Sequence, residues 1–130
     1  MNCSLDHLHF RCSNLQDSVK WFKETLGAEE RFKAEVRGNP LVGMALAGTT
    51  FLLSAAPLQT PNVTGSSSSS SNYGLWHFGL KVPNLEEAIT YLKSKNVKIT
   101  MEPTLLPGGV KISFIEGPDD ISIEIIERAS

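Results

Sequence analysis

The chain has 130 residues, 41% hydrophobic and 20% charged, with a formal net charge of −2. That length suits one domain with its own core, and the charge excludes the basic surface that a nucleic-acid or acidic-membrane partner requires. No apolar run reaches the length of a bilayer span, and the opening MNCSLDHLHF lacks a basic start followed by an apolar stretch, so a reducing, cytoplasmic setting with Cys3 and Cys12 as free thiols is expected.

Residues 5–12 alternate. Leu8, Phe10 and Cys12 point one way, and His7, His9 and Arg11 the other, which predicts a half-covered strand. Ser13 and Asn14 then offer helix caps, with Gln16 and Asp17 three residues on from each. Leu15, Val19, Phe22 and Leu26 form one apolar stripe at helical spacing, and Gly27 suits the position past the helix end. Residues 28–36 and 41–47 read as strands joined by the turn Arg-Gly-Asn-Pro. A third strand covers 49–54. The first half is therefore β-α-β-β-β.

Residues 55–74 are rich in Ser, Thr, Pro, Asn and Gly, with an unbroken serine run from Ser66 to Ser71. They read as a connector with little to bury. Beyond them the order repeats. Residues 75–82 form a strand with Trp76, Phe78, Leu80 and Val82 on one side and His77, Gly79 and Lys81 on the other. Leu85, Ala88, Ile89 and Leu92 stripe a second helix. Strands follow at 97–101, ending at Glu102-Pro103, at 110–115, and at 121–126 after the turn Glu-Gly-Pro-Asp-Asp. The expected organisation is one domain over 1–130, with modules 4–54 and 75–128 flanking the connector 55–74.

The two halves are copies. Residues 5–27 match 75–97 without a gap at an offset of seventy, setting His7 on His77, Asn14-Leu15 on Asn84-Leu85 and Lys23 on Lys93. In each half the helix covers the apolar face of the sheet, so both histidines fall on the opposite face, early in the first strand. Glu124 falls on the same face of the last strand. Two imidazoles and a carboxylate from separate strands suit a divalent metal with open positions. Neutral imidazole accepts Fe, Mn, Ni, Co or Zn alike, so the ligands do not choose among them. Seventy positions before Glu124 stands Ser54, with Leu52 the nearest residue on its face, so the donor set holds three protein groups. Arg11 and Lys81, also equivalent in the repeat, are candidates to hold an anionic substrate group. His9, one residue pair from His7, is a candidate substrate contact.

Duplicated β-α-β-β-β units that each open on a His-bearing strand resemble the vicinal oxygen chelate superfamily, the group of the glyoxalases, bleomycin-resistance proteins and extradiol dioxygenases. The resemblance covers nearly all of the chain outside 55–74. It is most specific in LDHLHF…NLQDSVKWFKETLG, GLWHFGLKVPNLEEAITYLKSKNV and PGGVKISFIEGPDDISIEIIE. The last is similar to a closing motif in which a Pro-Asp-Gly turn precedes a strand bearing the metal-binding Glu, with Asp120 here in place of Gly. The resemblance implies an α+β fold of two tandem βαβββ modules, whose curved mixed sheets form a cup with one divalent metal ion at its base. His7, His77 and Glu124 match three ligand positions, and Leu52 or Ser54 stands at the fourth. The implied function is a metalloenzyme acting on a small oxygen-chelating substrate, lactoylglutathione lyase-like or dioxygenase-like, with Glu124 catalytic. The alternatives are a metal-free drug-binding protein of the bleomycin-resistance type and a thiol transferase of the fosfomycin-resistance type. A homodimer with metal sites shared between chains is also implied.

Overall fold

Alternation builds the first strand as the sequence predicts. In β1 (His7–Cys12), Leu8 and Phe10 are half-buried and Cys12 is buried, while His7, His9 and Arg11 are exposed. Phe10 packs against Phe22 and Phe51, with ring centroids 6.2 and 5.5 Å away. Asn14 caps α1 (Leu15–Leu26), its side chain accepting from the Asp17 N–H at 3.0 Å. Gly27 ends the helix at φ 76°, a left-handed conformation that costs glycine nothing. The helix buries Ser18, Phe22 and Thr25 more fully than Leu15, Val19 and Leu26. Small side chains beside Phe22 let the helix approach the sheet, so of the apolar stripe Phe22 centres the contact and the others border it.

The computed structural model describes residues 1–55 and 73–129. The serine run and most of the expected connector lie outside the described residues. The chain divides into two compact units, Met1–Pro61 and Asn62–Ser130. In the first, β2 (Glu29–Val36), β3 (Asn39–Leu46) and β4 (Thr49–Ala55) complete a four-stranded sheet of order β1-β4-β3-β2. β1 runs parallel to β4, and the other pairs are antiparallel. Arg37 and Gly38, at φ 52° and 82°, turn β2 into β3 with two residues, so Asn39 and Pro40 belong to β3 and not to the predicted four-residue turn. Pro40 is tolerated because it stands near the start of its strand.

The second unit repeats the plan. β5 (His77–Lys81), α2 (Leu85–Ser94), β6 (Lys98–Leu105), β7 (Lys111–Glu116) and β8 (Ser122–Glu127) give a sheet of order β5-β8-β7-β6. Helix α2 buries Leu85, Ile89 and Leu92, as its stripe predicts. Its N-terminus has two acceptors. Asn84 takes the Glu87 N–H at 2.9 Å, and Glu127 of β8 takes the Leu85 N–H at 2.7 Å. β6 continues through Pro103, where the sequence predicts an end. The pairing slips between Met101 and Thr104, and this irregularity in an edge strand absorbs the proline. The buried Ser113 hydroxyl donates to the Met101 carbonyl there. A single 3₁₀ turn, Pro118–Asp120, leads into β8 with Asp119 and Asp120 at φ 54° and 59°. Each unit is a βαβββ module with one helix on one face of a mixed sheet, the α+β architecture expected.

Candidate functional site

In the second unit, strand register sets the uncovered face. His77 pairs with Ser122, and Gly79 with Glu124. Glu124 in turn pairs with Phe114 of β7. His77 Nε2 and Glu124 Oε1 lie 4.0 Å apart, too far for a hydrogen bond. Glu124 leans across Gly79, where a Cβ would stand 3.3 Å from Oε1. Both side chains are about one-fifth exposed. His77 Nδ1 is buried without a hydrogen-bond partner. Two aromatic rings flank the imidazole: Trp76 and Phe114 stack at 5.4 Å and 14°, and both stand nearly perpendicular to it, at 4.4 and 4.9 Å. Trp76 therefore does not support the helix as its alternation predicts. It precedes the first paired residue of β5, is 72% exposed, and covers Phe114 beside His77. Lys81 is exposed on the same face, opposite Ile126.

In the first unit, His7 pairs with Thr50, His9 with Leu52 and Arg11 with Ser54. His9 is the repeat equivalent of Gly79, so its partner Leu52 is the equivalent of Glu124. Leu52 and not Ser54 holds the fourth position. Where Gly79 has no side chain, His9 carries an imidazole, and its Nε2 meets Ser54 Oγ at 2.8 Å. The His9 pKa is lowered, first by partial burial and then by the neighbouring His7 and Arg11 charges. His7 Nδ1 lies 2.7 Å from the Asp6 carboxylate, an exposed contact that leaves Nε2 unengaged. His9, Arg11, Arg37, Asn39 and Ser54 line a concavity of about 520 Å³. Arg37 was not singled out by the sequence, which offers it only as a turn residue. The turn signal alone does not mark it as a site residue.

The donor set fits a divalent ion in its chemistry. Imidazole nitrogen and carboxylate oxygen bind such ions at about 2.0–2.2 Å, and the 4.0 Å between His77 Nε2 and Glu124 Oε1 is within twice that reach. With Nε2 given to an ion, the proton of a neutral His77 sits on Nδ1, which is buried. His7 belongs to the first unit and the other two candidates to the second. Among the described residues no three His, Cys, Asp or Glu side chains gather closely enough to hold an ion, and no helix is long and apolar enough to cross a membrane.

The model of the Glyoxalase/Bleomycin resistance protein/Dioxygenase superfamily matches residues 4–125. A probable chloroplastic lactoylglutathione lyase of Arabidopsis thaliana is 27% identical over 127 residues, 94% of this chain but 35% of that protein. A lactoylglutathione lyase of the same plant is 24% identical over 94% of this chain and 43% of its own length. The chain thus spans less than half the length of these relatives. A glyoxalase family protein from Enterococcus faecalis superposes with a TM-score of 0.76 at 20% identity, covering 95% of this chain and 97% of that one. A fosfomycin resistance protein from Listeria monocytogenes gives 0.74 at 14% identity, covering 99% and 96%.

Proposed function

Because the chain belongs to the Glyoxalase/Bleomycin resistance protein/Dioxygenase superfamily, we propose that it is a divalent-metal-dependent enzyme acting on a small substrate through two neighbouring oxygens, with lyase or isomerase chemistry of the lactoylglutathione-lyase kind. The observation that carries this reading is the His77–Glu124 pair: two donors 4.0 Å apart on one sheet face, not hydrogen-bonded to each other. The likeness to two lactoylglutathione lyases supports the reaction class.

In this reading His77, Glu124 and His7 hold one ion of Fe, Mn, Ni, Co or Zn, and the ion, when bound, supplies Lewis acidity toward a substrate carbonyl oxygen. His7 offers Nε2 because Asp6 engages its Nδ1, an arrangement that orients metal-binding histidines in general. Glu124 accepts the proton of a carbon next to a carbonyl. Leu52 brings no second carboxylate, so that transfer falls to Glu124 alone. Arg11, Arg37 and Lys81 attract an anionic end of the substrate, and His9 with Ser54 offers it a polar contact. Because His7 and the His77–Glu124 pair belong to separate units, a homodimer that shares sites between chains is part of the proposal.

A second reading, a metal-free binding protein, draws on Leu52 at the fourth position, which brings no donor atom. Metal analysis of protein purified without chelator, beside His77→Ala, separates the two. Near-stoichiometric metal in the wild type and its loss in the variant are expected. A metal-free wild type that takes up none of Fe, Mn, Ni, Co or Zn on reconstitution sinks the enzyme reading and favours the binding protein. Turnover of a hemithioacetal by the reconstituted protein tests the reaction class.

A further inference from the structure

Resting on that metal-site reading, we propose that Trp76 and Phe114 are positioning residues: their rings hold the His77 imidazole in the one orientation that turns Nε2 toward Glu124. Two observations carry this. His77 Nδ1 is buried and has no hydrogen-bond partner. A buried polar atom without a partner is costly, and a half-turn of the ring about Cβ–Cγ would carry Nδ1 elsewhere. Something opposes that turn. The perpendicular rings of Trp76 at 4.4 Å and Phe114 at 4.9 Å pack against the imidazole. Rings packed this closely against the imidazole leave a half-turn little room, so they oppose the flip by contact.

The wall is itself held in place. Trp76 stacks on Phe114 at 5.4 Å, and Phe114 is nearly buried on β7, paired with Glu124. One strand pairing therefore fixes the carboxylate and the ring that steers its companion ligand. The other half of the repeat does the same task differently. Asp6, seventy positions before Trp76, meets His7 Nδ1 with a carboxylate. The residue preceding each repeat histidine thus orients it, through a hydrogen bond in one half and ring packing in the other.

The test uses Trp76→Ala and Trp76→Phe in the full chain. Trp76 is 72% exposed, so both variants should fold, which thermal unfolding of the metal-free proteins checks. Cobalt(II) affinity is measured by competition with a chromophoric chelator, together with the visible spectrum of the bound ion. Trp76→Ala should bind roughly ten- to a hundredfold more weakly, the range for lost orienting partners of metal-binding histidines, with an altered spectrum. Trp76→Phe should restore both. Wild-type affinity and spectrum in Trp76→Ala overturn the proposal, as does a Phe variant no better than Ala. Carbon-13 relaxation of the His77 ring in metal-free protein gives a second readout: rigid in wild type and Trp76→Phe, mobile in Trp76→Ala. Equal mobility in all three overturns the positioning role even if no cobalt binds. A wild type that binds no cobalt counts against the metal-site reading alone.

Discussion

Replacing Gly79 with alanine should move stability and metal binding in opposite directions. The backbone of Gly79 is not among the positive-φ positions, so its conformation does not call for glycine. Alanine in a strand gains about 0.5–1 kcal/mol over glycine, because glycine loses more freedom on folding. Against this stands one tight contact: the new Cβ would lie 3.3 Å from Glu124 Oε1. Glu124 relieves it by rotating a few tenths of an ångström or more, which its part-exposed side chain permits. The metal-free protein should therefore be unchanged or up to about 0.5 kcal/mol more stable in urea unfolding. The same rotation displaces the carboxylate from its place 4.0 Å from His77 Nε2, so zinc affinity by chelator competition should fall about tenfold or more. Undiminished affinity would falsify the assignment of Glu124, in this orientation, as a ligand. A loss of more than about 1 kcal/mol of stability would show that Glu124 cannot yield and that the strand packing argument is wrong.

Three further outcomes are expected. Glu127→Ala removes the 2.7 Å bond to the Leu85 N–H at the start of α2 and should cost about 1–2 kcal/mol in urea unfolding; a loss below about 0.3 kcal/mol would mean that Asn84 caps the helix alone. Ala47→Asn suits the φ of 52° in the two-residue turn between β3 and β4, and should raise stability by roughly 0.5 kcal/mol; a lowered thermal midpoint refutes the turn assignment. His9 has a folded pKa below its ordinary value, so the folded state binds fewer protons than the unfolded one between the two pKa values. Its contribution is present above about pH 6.5 and is lost as pH falls through the folded pKa. Wild type should lose more stability than His9→Gln between about pH 7.5 and about pH 5.5; equal losses remove His9 as the cause.

The sequence by itself determined the repeated module. Period-two alternation in residues 5–12 and 75–82, helical stripes after each, and Asn14 and Asn84 as caps are local features, and local physics reads them. The offset of seventy then put His7 and His77 on equivalent faces, because a duplicated βαβββ unit repeats its covered face. Several features needed the tertiary structure. Counting back seventy from Glu124 reaches Ser54, yet strand register makes Leu52 its equivalent. The offset that aligns 5–27 with 75–97 does not hold to the last strand, because the connections 106–110 and 117–121 are longer than the turns 37–38 and 47–48, and β7 is shorter than β3. Burial of Ser18 and Thr25 depended on how closely α1 approaches its sheet, which hydropathy does not encode. Trp76 fits the alternating pattern of its neighbours, but it precedes the first paired residue of β5, so no ladder holds it to the helix side. Arg37 and Glu127 acquire their roles from partners distant in the chain. Periodicity is a property of neighbours along the sequence, whereas ligand pairing, capping across strands and ring packing depend on register, and only the folded sheets decide that.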